Sequence, residues 1–335
     1  MSRRFAQPAV TSHAPIVSIG MPVYNGARYV AAAIESILAQ TLTDFTLVIC
    51  DNASTDETEA ICRDFAAKDA RVHYHRNSEN LGAHPNYNRT FDLSSGKYFK
   101  WAAHDDMLAP QYLERCVAAM ESNPEAVICQ SYLRYIDADG RRLGVYDSNL
   151  LNSEGPSVSA RFASVILLRH PAYEIMGLFR RSALEGSLLL QSFHGADRAL
   201  LAEMSLRGRM IQVREPLLLV RDHKDRYTQS HIRPKDRATW HDARLKGKLS
   251  LPTWRLYYEY CKMVARNRLS TLERLRCCGP LLRWWWRNWN AARMLVDLVS
   301  VVVPDAVIYA EKLKQRYISP QPGVGDLKRE RDNTE

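Results

Sequence analysis

Asp105 and Asp106 stand side by side near the end of "KYFKWAAHDDML", residues 97–108, an apolar and aromatic stretch that reads as a buried strand. Two adjacent carboxylates repel, and partial burial strengthens the repulsion. A solvated turn ahead of a helix tolerates such a pair. So does a divalent cation, or a ligand's hydroxyls, held by it. Other residues of similar chemistry help to choose. "MPVYN" carries Tyr24 after a first apolar strand, and "CDNASTD" carries Asp51 after a second. A nucleoside diphosphate needs a pocket for its base, partners for its ribose hydroxyls and a cation for its phosphates. An aromatic ring and several carboxylates suit those needs. Neither GxGxxG nor GxxxxGK followed by Ser or Thr occurs in the chain. That argues against a nicotinamide dehydrogenase and against a P-loop ATPase.

These side chains meet only if the strand ends converge. After a tail, residues 1–14, "IVSIGMP" reads as a buried strand. "ARYVAAAIESILAQ" then sets Val30, Ile34, Ile37 and Leu38 on one helical face. "FTLVICD" is a second strand, and the spacing of Ser54 and Glu57 predicts a capping box opening the helix that carries Ile61 and Phe65. "RVHYHRN" and "KYFKWAA" are further strands, with a short helix after Pro85 between them. A helix from about Pro110 to Ser122 and the strand "AVICQSYLRYI" follow. Such alternation predicts an α/β sandwich around a mostly parallel sheet. Ligands of such sheets sit beyond the carboxyl ends of the strands, so Tyr24, Asp51, Asp105 and Asp106 should share one edge. Farther on, "ADRALLAEMSLRGR" (196–209) predicts an amphipathic helix and "MIQVREPLLLVRDH" (210–223) an extended segment. Arg89 and Lys100 read as solvated.

At 335 residues, with 46% hydrophobic and 25% charged residues, the chain has the composition of a globular protein with a real core. Seven scattered cysteines show neither CxxC nor a Cys/His metal spacing, so they read as reduced, buried fillers of a cytosolic protein. "MSRRFAQPAVTSHAP" lacks the apolar segment of a signal peptide. The net charge of +9 is uneven: residues 1–150 hold 14 Lys and Arg against 18 Asp and Glu, and the excess of base lies in residues 151–335. A basic second half suits an anionic partner.

"VSIGMPVYNGARYVAAAIESILAQT", "LVICDNASTDET", "NLGAHPNYN", "GKYFKWAAHDDML" and "GADRALLAEMSLRG" together resemble the family 2 glycosyltransferases over about residues 15–225. The resemblance implies the GT-A fold and a nucleotide-sugar donor, a UDP-sugar foremost. It also implies that Pro22, Val23, Tyr24 and Asp51 form the base pocket. Asp105 would bind ribose hydroxyls, and Asp106 would hold Mg²⁺ or Mn²⁺ as the last residue of a DxD-type motif. Asp197 falls where the family places its general base; a helix N-cap is the structural alternative. His104 replaces the first Asp of that motif and Asn52 stands where a second Asp is common, which puts the metal contact in question. His104, His223 and Arg226 are candidate phosphate contacts, and His194 a candidate for orienting the acceptor. A single displacement with inversion follows from such a site.

The last ~95 residues are basic, Trp-rich and helical in pattern, and "SPQPGVGDLKRERDNTE" reads as a disordered tail. From Arg266 to Arg293 there are seven arginines and one acid, Glu273. Charges interrupt every apolar run, so this region does not span a bilayer. Tryptophan and arginine on helices suit a membrane surface; packing on the catalytic domain or on a second subunit is the alternative. No nucleic-acid motif accompanies them. The sequence thus predicts a tail (1–14), a GT-A catalytic domain (15–235), a helical C-terminal region (236–318) and a second tail (319–335). It predicts an inverting, metal-dependent glycosyltransferase, cytoplasmic or peripheral on the inner face of the membrane, acting on a surface-polysaccharide or lipid-linked glycan acceptor. A sugar-phosphate nucleotidyltransferase and a non-catalytic nucleotide-sugar-binding module are the alternatives.

Overall fold

A computed structural model of the chain describes residues 14–147, 153–168, 170–223, 240–245, 251–303, 306 and 309. The two expected tails and Arg226 therefore lie outside the described residues, apart from residue 14.

Four parallel strands build the first half of the sheet: β1 (Val17–Val23), β2 (Phe45–Asp51), β3 (Val72–Arg76) and β4 (Tyr98–Trp101). β1 is buried at all seven positions, which suits a central strand covered on both faces. The second half holds β5 (Met107–Leu108), β6 (Ala126–Ile136), β7 (Arg142–Tyr146), β8 (Leu178–Arg180) and β9 (Arg209–Arg221). The sheet order is β3-β2-β1-β4-β8-β6-β9-β5, with β7 paired to β6. β8 runs antiparallel to both β4 and β6, and β9 is parallel to β6. β9 therefore ends at the same edge as β1, β2 and β4. The expected mostly parallel sheet is present, widened by antiparallel strands into the mixed sheet of the GT-A fold.

The helices are α1 (Val30–Leu38), α2 (Thr58–Lys68), α3 (Ala83–Asp92), α4 (Tyr112–Glu121), α5 (Val158–Leu167), α6 (Arg181–Leu184) and α7 (Ala196–Arg207). α8 (Pro252–Arg266), α9 (Thr271–Trp284) and α10 (Asn290–Val302) complete the set among the described residues. The period-2 alternation of the strands feeds two cores. Tyr98 joins Val17, Ile19, Met21 and Ile34 on one side, while Phe99 and Trp101 join Phe162, Phe179 and Leu200 on the other. Tyr260, Met263, Cys277, Leu281 and Trp284 belong to the second core, so one face of the C-terminal helices packs on the catalytic sheet's own helices.

Four local expectations are corrected. α2 starts at Thr58 without a side-chain cap, because the Ser54 hydroxyl is taken by the Asn25 N–H at 2.9 Å. α3 begins at Ala83, before Pro85, which its first turn accepts because the earliest N–H groups of a helix need no intrahelical partner. α7 is not amphipathic: α5 and α8 sandwich it, and nine of its twelve residues are buried. Lys100 is fully buried rather than solvated. Its ammonium donates to the Met176 carbonyl and lies 4.5 Å from the Tyr112 ring centre, and burial pulls its pKa down to about 8. Five of the seven free cysteines are buried as expected; Cys261 is half-buried and Cys278 exposed. No helix among the described residues is long and apolar enough to cross a membrane.

Candidate functional site

The loops after β1 and β2 are tied to each other. Ser54 Oγ accepts from the Asn25 N–H, Thr58 Oγ1 from the Gly26 N–H, and Asp56 Oδ2 from the Ala27 N–H, at 2.9, 2.9 and 3.1 Å. Asn25 returns a contact by accepting from the Thr55 N–H at 2.8 Å. Short polar side chains thus fix the loop that presents Tyr24, whose ring is 46% exposed. Pro22 and Val23 are buried in β1, paired in register with Cys50 and Asp51.

Asp51 is wholly buried and its charge is compensated. Oδ2 accepts from the Tyr74 hydroxyl at 2.6 Å and Arg76 Nη1 at 2.9 Å, while Oδ1 accepts from the Ser54 N–H at 2.8 Å. Three donors leave a carboxylate one of its roughly four acceptor positions. The neighbouring Asn52 is a structural residue. It donates to Asn80 Oδ1 and the Gly82 carbonyl and accepts from the Leu81 N–H and Asn77 Nδ2, which shapes the loop leading into α3. An aspartate here could donate neither of the first two bonds, which accounts for the amide.

Asp105 and Asp106 follow β4 and are joined to the end of β9. Asp106 Oδ1 accepts from the Arg221 N–H at 3.0 Å, and the Arg221 guanidinium donates to the Asp105 carbonyl at 3.0 Å. His223 Nε2 lies 2.9 Å from Asp105 Oδ2. The opposite ring nitrogen of His223, Nδ1, is buried with no hydrogen-bond partner among the described residues. Arg221 and His223 both pack on the Tyr29 ring, at 4.8 Å each. His104 lies against the β1 loop: a Cβ on Gly26 would come within 2.5 Å of its ring, so only glycine fits there.

In donor chemistry these residues suit a divalent cation. With Nε2–H donating to the Asp105 carboxylate, Nδ1 presents its lone pair, and metal-bound imidazoles are commonly oriented by such a carboxylate. A hard carboxylate from Asp106 and one imidazole leave further positions for phosphate or water oxygens. No three His, Cys, Asp or Glu side chains among the described residues form a complete cation site by themselves.

Asp197 sits in the first turn of α7, behind Gly195, whose φ of 96° lies in the left-handed region that favours glycine. Its Oδ1 accepts from the Arg198 N–H at 2.8 Å. α3 links this carboxylate to the acidic pair. Burial pushes the Tyr87 phenol up, reinforced by the charges of Asp105 and Asp106. One turn earlier, burial pulls the His84 imidazole down to about 4, opposed by the carboxylates of Asp197 and Asp242.

His84 also holds the segment before Asp197. Its Nδ1 lies 2.5 Å from the Gln191 carbonyl, which can only accept, so Nδ1 carries the hydrogen. Nε2 is then the acceptor for His241 Nδ1–H at 2.9 Å. Asn88, one turn on, donates to the Leu190 carbonyl and accepts from the Leu190 N–H. His194 is exposed, with its ring 5.7 Å from that of His241. Glu203, farther along α7, is fully buried between Arg207 at 2.7 Å and Arg266. It is a structural ion pair.

The parallel strands thus carry Tyr24, Asp51, Asp105, Asp106 and His223 to one edge, and α3 connects that edge to Asp197. Sequence reasoning missed Tyr29, Arg221, His84 and Asn88. Only His84 and Asn88 left a signal, the i, i+4 spacing on one helical face.

The model of the family described as glycosyl transferase family 2 matches residues 18–186. An uncharacterized glycosyltransferase of Methanocaldococcus jannaschii is 33% identical over 131 residues, 38% of this chain and 45% of that protein. Chondroitin synthase of Escherichia coli is 32% identical over 134 residues, 40% of this chain and 19% of that protein. The chain thus spans less than half the length of these relatives. Among solved structures, residues 1–349 of S. aureus TarS in complex with UDP-GlcNAc superimpose with a TM-score of 0.59 at 16% identity, covering 87% of this chain and 81% of that one. The mannosyltransferase PcManGT of Pyrobaculum calidifontis in complex with GDP-Man and Mn²⁺ gives 0.55 at 16% identity, covering 92% and 82%. At these identities the structural likeness shows the fold.

Proposed function

The chain belongs to glycosyl transferase family 2, and we propose that it moves a sugar from a nucleotide-sugar donor to a hydroxyl acceptor with inversion. The observation that carries this reading is the join between two strand ends: Asp105 bonded to His223, with the orphaned Nδ1 of that ring at the edge that holds Asp106. In this reading Tyr24 stacks on the base, and Pro22, Val23 and Asp51 form the rest of the base pocket. Asp105 receives a ribose hydroxyl. Asp106 and His223 would hold Mg²⁺ or Mn²⁺, and the ion would supply charge to offset that on the departing diphosphate. His104 and Arg226 remain candidate phosphate contacts. UDP-sugars are the first donors to try. That TarS was solved with UDP-GlcNAc, and PcManGT with GDP-Man and Mn²⁺, supports a nucleotide-sugar site and a divalent ion.

Asp197 accepts the proton of the acceptor hydroxyl as that oxygen attacks the anomeric carbon. One carboxylate opposite the leaving group gives inversion without a covalent intermediate. We read residues 15–235 as the catalytic unit and 236–318 as a helical appendage. The acceptor is a surface-polysaccharide or lipid-linked glycan, used at the cytoplasmic face of a membrane. Incubation with UDP-, GDP- and dTDP-sugars and Mn²⁺, with NMR of the product's anomeric configuration, tests the whole reading. Release of free nucleoside diphosphate with inverted product supports it; donor bound without turnover on any hydroxyl acceptor contradicts it.

A further inference from the structure

Among the described residues, 17 large apolar side chains are exposed, and 14 of them lie between Trp254 and Tyr309. The imbalance locates a surface. α9 turns Cys277, Pro280, Leu281 and Trp284 inward. Its opposite side carries Leu272, Leu275, Leu282 and, just past its end, Trp286, at 58, 64, 67 and 82% exposure. Spacings of three, seven and four residues place them in one row along the helix. α10 repeats the division, with Met294 and Asp297 inward and Leu295, Leu298, Val299 and Val302 outward. Trp289, 67% exposed, sits at the turn between the two rows. The inward faces already complete the core, so folding does not need the outward ones. Monomers rarely leave large apolar patches bare.

Charge selects the occupant. Arg276, Arg283 and Arg287 are exposed beside the α9 row and the turn that follows it. Glu273, the one acid on α9, is engaged in the capping box with Ser270. In a two-fold contact between copies the same arginines would face one another and repel. An anionic surface with an apolar layer beneath satisfies both features. We propose that the outward faces of α9 and α10, with Trp286 and Trp289 between them, dock on an anionic lipid bilayer. The aliphatic rows enter the acyl boundary, the indoles lie at headgroup depth and the arginines reach lipid phosphates.

No donor-site or base residue lies on α9 or α10, so docking is tested apart from transfer. The full chain, without donor, is mixed with phosphatidylglycerol-containing vesicles or with pure phosphatidylcholine vesicles. Sedimentation with the anionic vesicles, and quenching of tryptophan emission by brominated lipid, are expected. Trp286→Ser with Trp289→Ser should remove most of the quenching. Arg276→Ser, Arg283→Ser and Arg287→Ser should each weaken binding about fivefold at low salt. Melting temperatures near wild type certify these surface variants as folded. Unchanged vesicle binding by the folded variants overturns the proposal. So does a lipid-free dimer that Leu275→Asp dissociates. Because no sugar transfer is measured, failure here leaves the glycosyltransferase reading standing, and the converse holds.

Discussion

His223 Nε2 and Asp105 Oδ2 are 2.9 Å apart, which fastens the segment after β9 to the loop after β4. Neither residue is near the other in sequence, yet the bond decides how each ring nitrogen of His223 is used. With Nε2 on Asp105, Nδ1 is left for a ligand.

That division predicts unequal effects. His223→Ala should abolish the Mn²⁺-dependent share of donor affinity and leave metal-free nucleotide binding almost unchanged. Asp105→Asn should weaken both, because it disturbs a ribose partner as well as the imidazole. Calorimetric titration with UDP, with and without Mn²⁺, separates the two patterns; identical losses in both variants would speak against them.

Asp197→Asn should bind donor normally and transfer little. The amide keeps the size of the side chain and can still accept from the Arg198 N–H. It cannot take the acceptor's proton, and loss of a general base costs about 10²–10⁴-fold in rate. Near-normal turnover by the folded variant would place the base elsewhere.

Glu203 should matter to stability alone. Removing a buried carboxylate strands its partners, and the usual cost is about 3–5 kcal/mol. Arg207 and Arg266 are 20% and 30% exposed at their side chains, so Glu203→Ala should cost nearer the lower end. Chemical denaturation reads the loss. Donor affinity measured well below the variant's melting temperature should equal that of wild type.

His84 predicts an acid slope. Its imidazole titrates at about 4 in the folded chain because it is buried, against about 6.5 when unfolded. Between those values the unfolded chain binds a proton that the native one refuses, so stability falls as pH drops through this window. The full effect is on the order of 3 kcal/mol. His84→Gln should start less stable near neutrality, having lost a bond to Gln191 or His241. Its melting temperature should then decline less between pH 6.5 and 4. An equal decline in both proteins would remove His84 as the source.

The sequence exposed the first strands and the candidate site carboxylates because both depend on local pattern. β1, β2 and β4 are short apolar runs, and each delivers its polar residues immediately afterwards. What local pattern could not show was competition between partners. Ser54-x-x-Glu57 and Ser270-x-x-Glu273 look alike, yet only the second is a capping box, since the first serine is drawn to the Asn25 N–H. Lys100 carries no mark of burial; its stem crosses a core whose other walls come from residues up to 76 positions away. α7 looked two-sided because its charged residues Asp197, Arg198, Glu203 and Arg207 punctuate the apolar ones. The His170 carbonyl takes up Arg198, and Arg266 with the helix's own Arg207 takes up Glu203, which allows the helix to be covered.

The central claim is that the carboxyl edge of the sheet binds a nucleotide sugar through a cation held at Asp106, and donor titration of Asp106→Asn tests it most directly. The substitution keeps an oxygen that can accept from the Arg221 N–H, so the fold should persist. Wild type should bind a UDP-, GDP- or dTDP-sugar more tightly with Mn²⁺ than without, and Asp106→Asn should bind it equally weakly in both conditions. A folded Asp106→Asn protein that keeps the full Mn²⁺ enhancement would contradict the account.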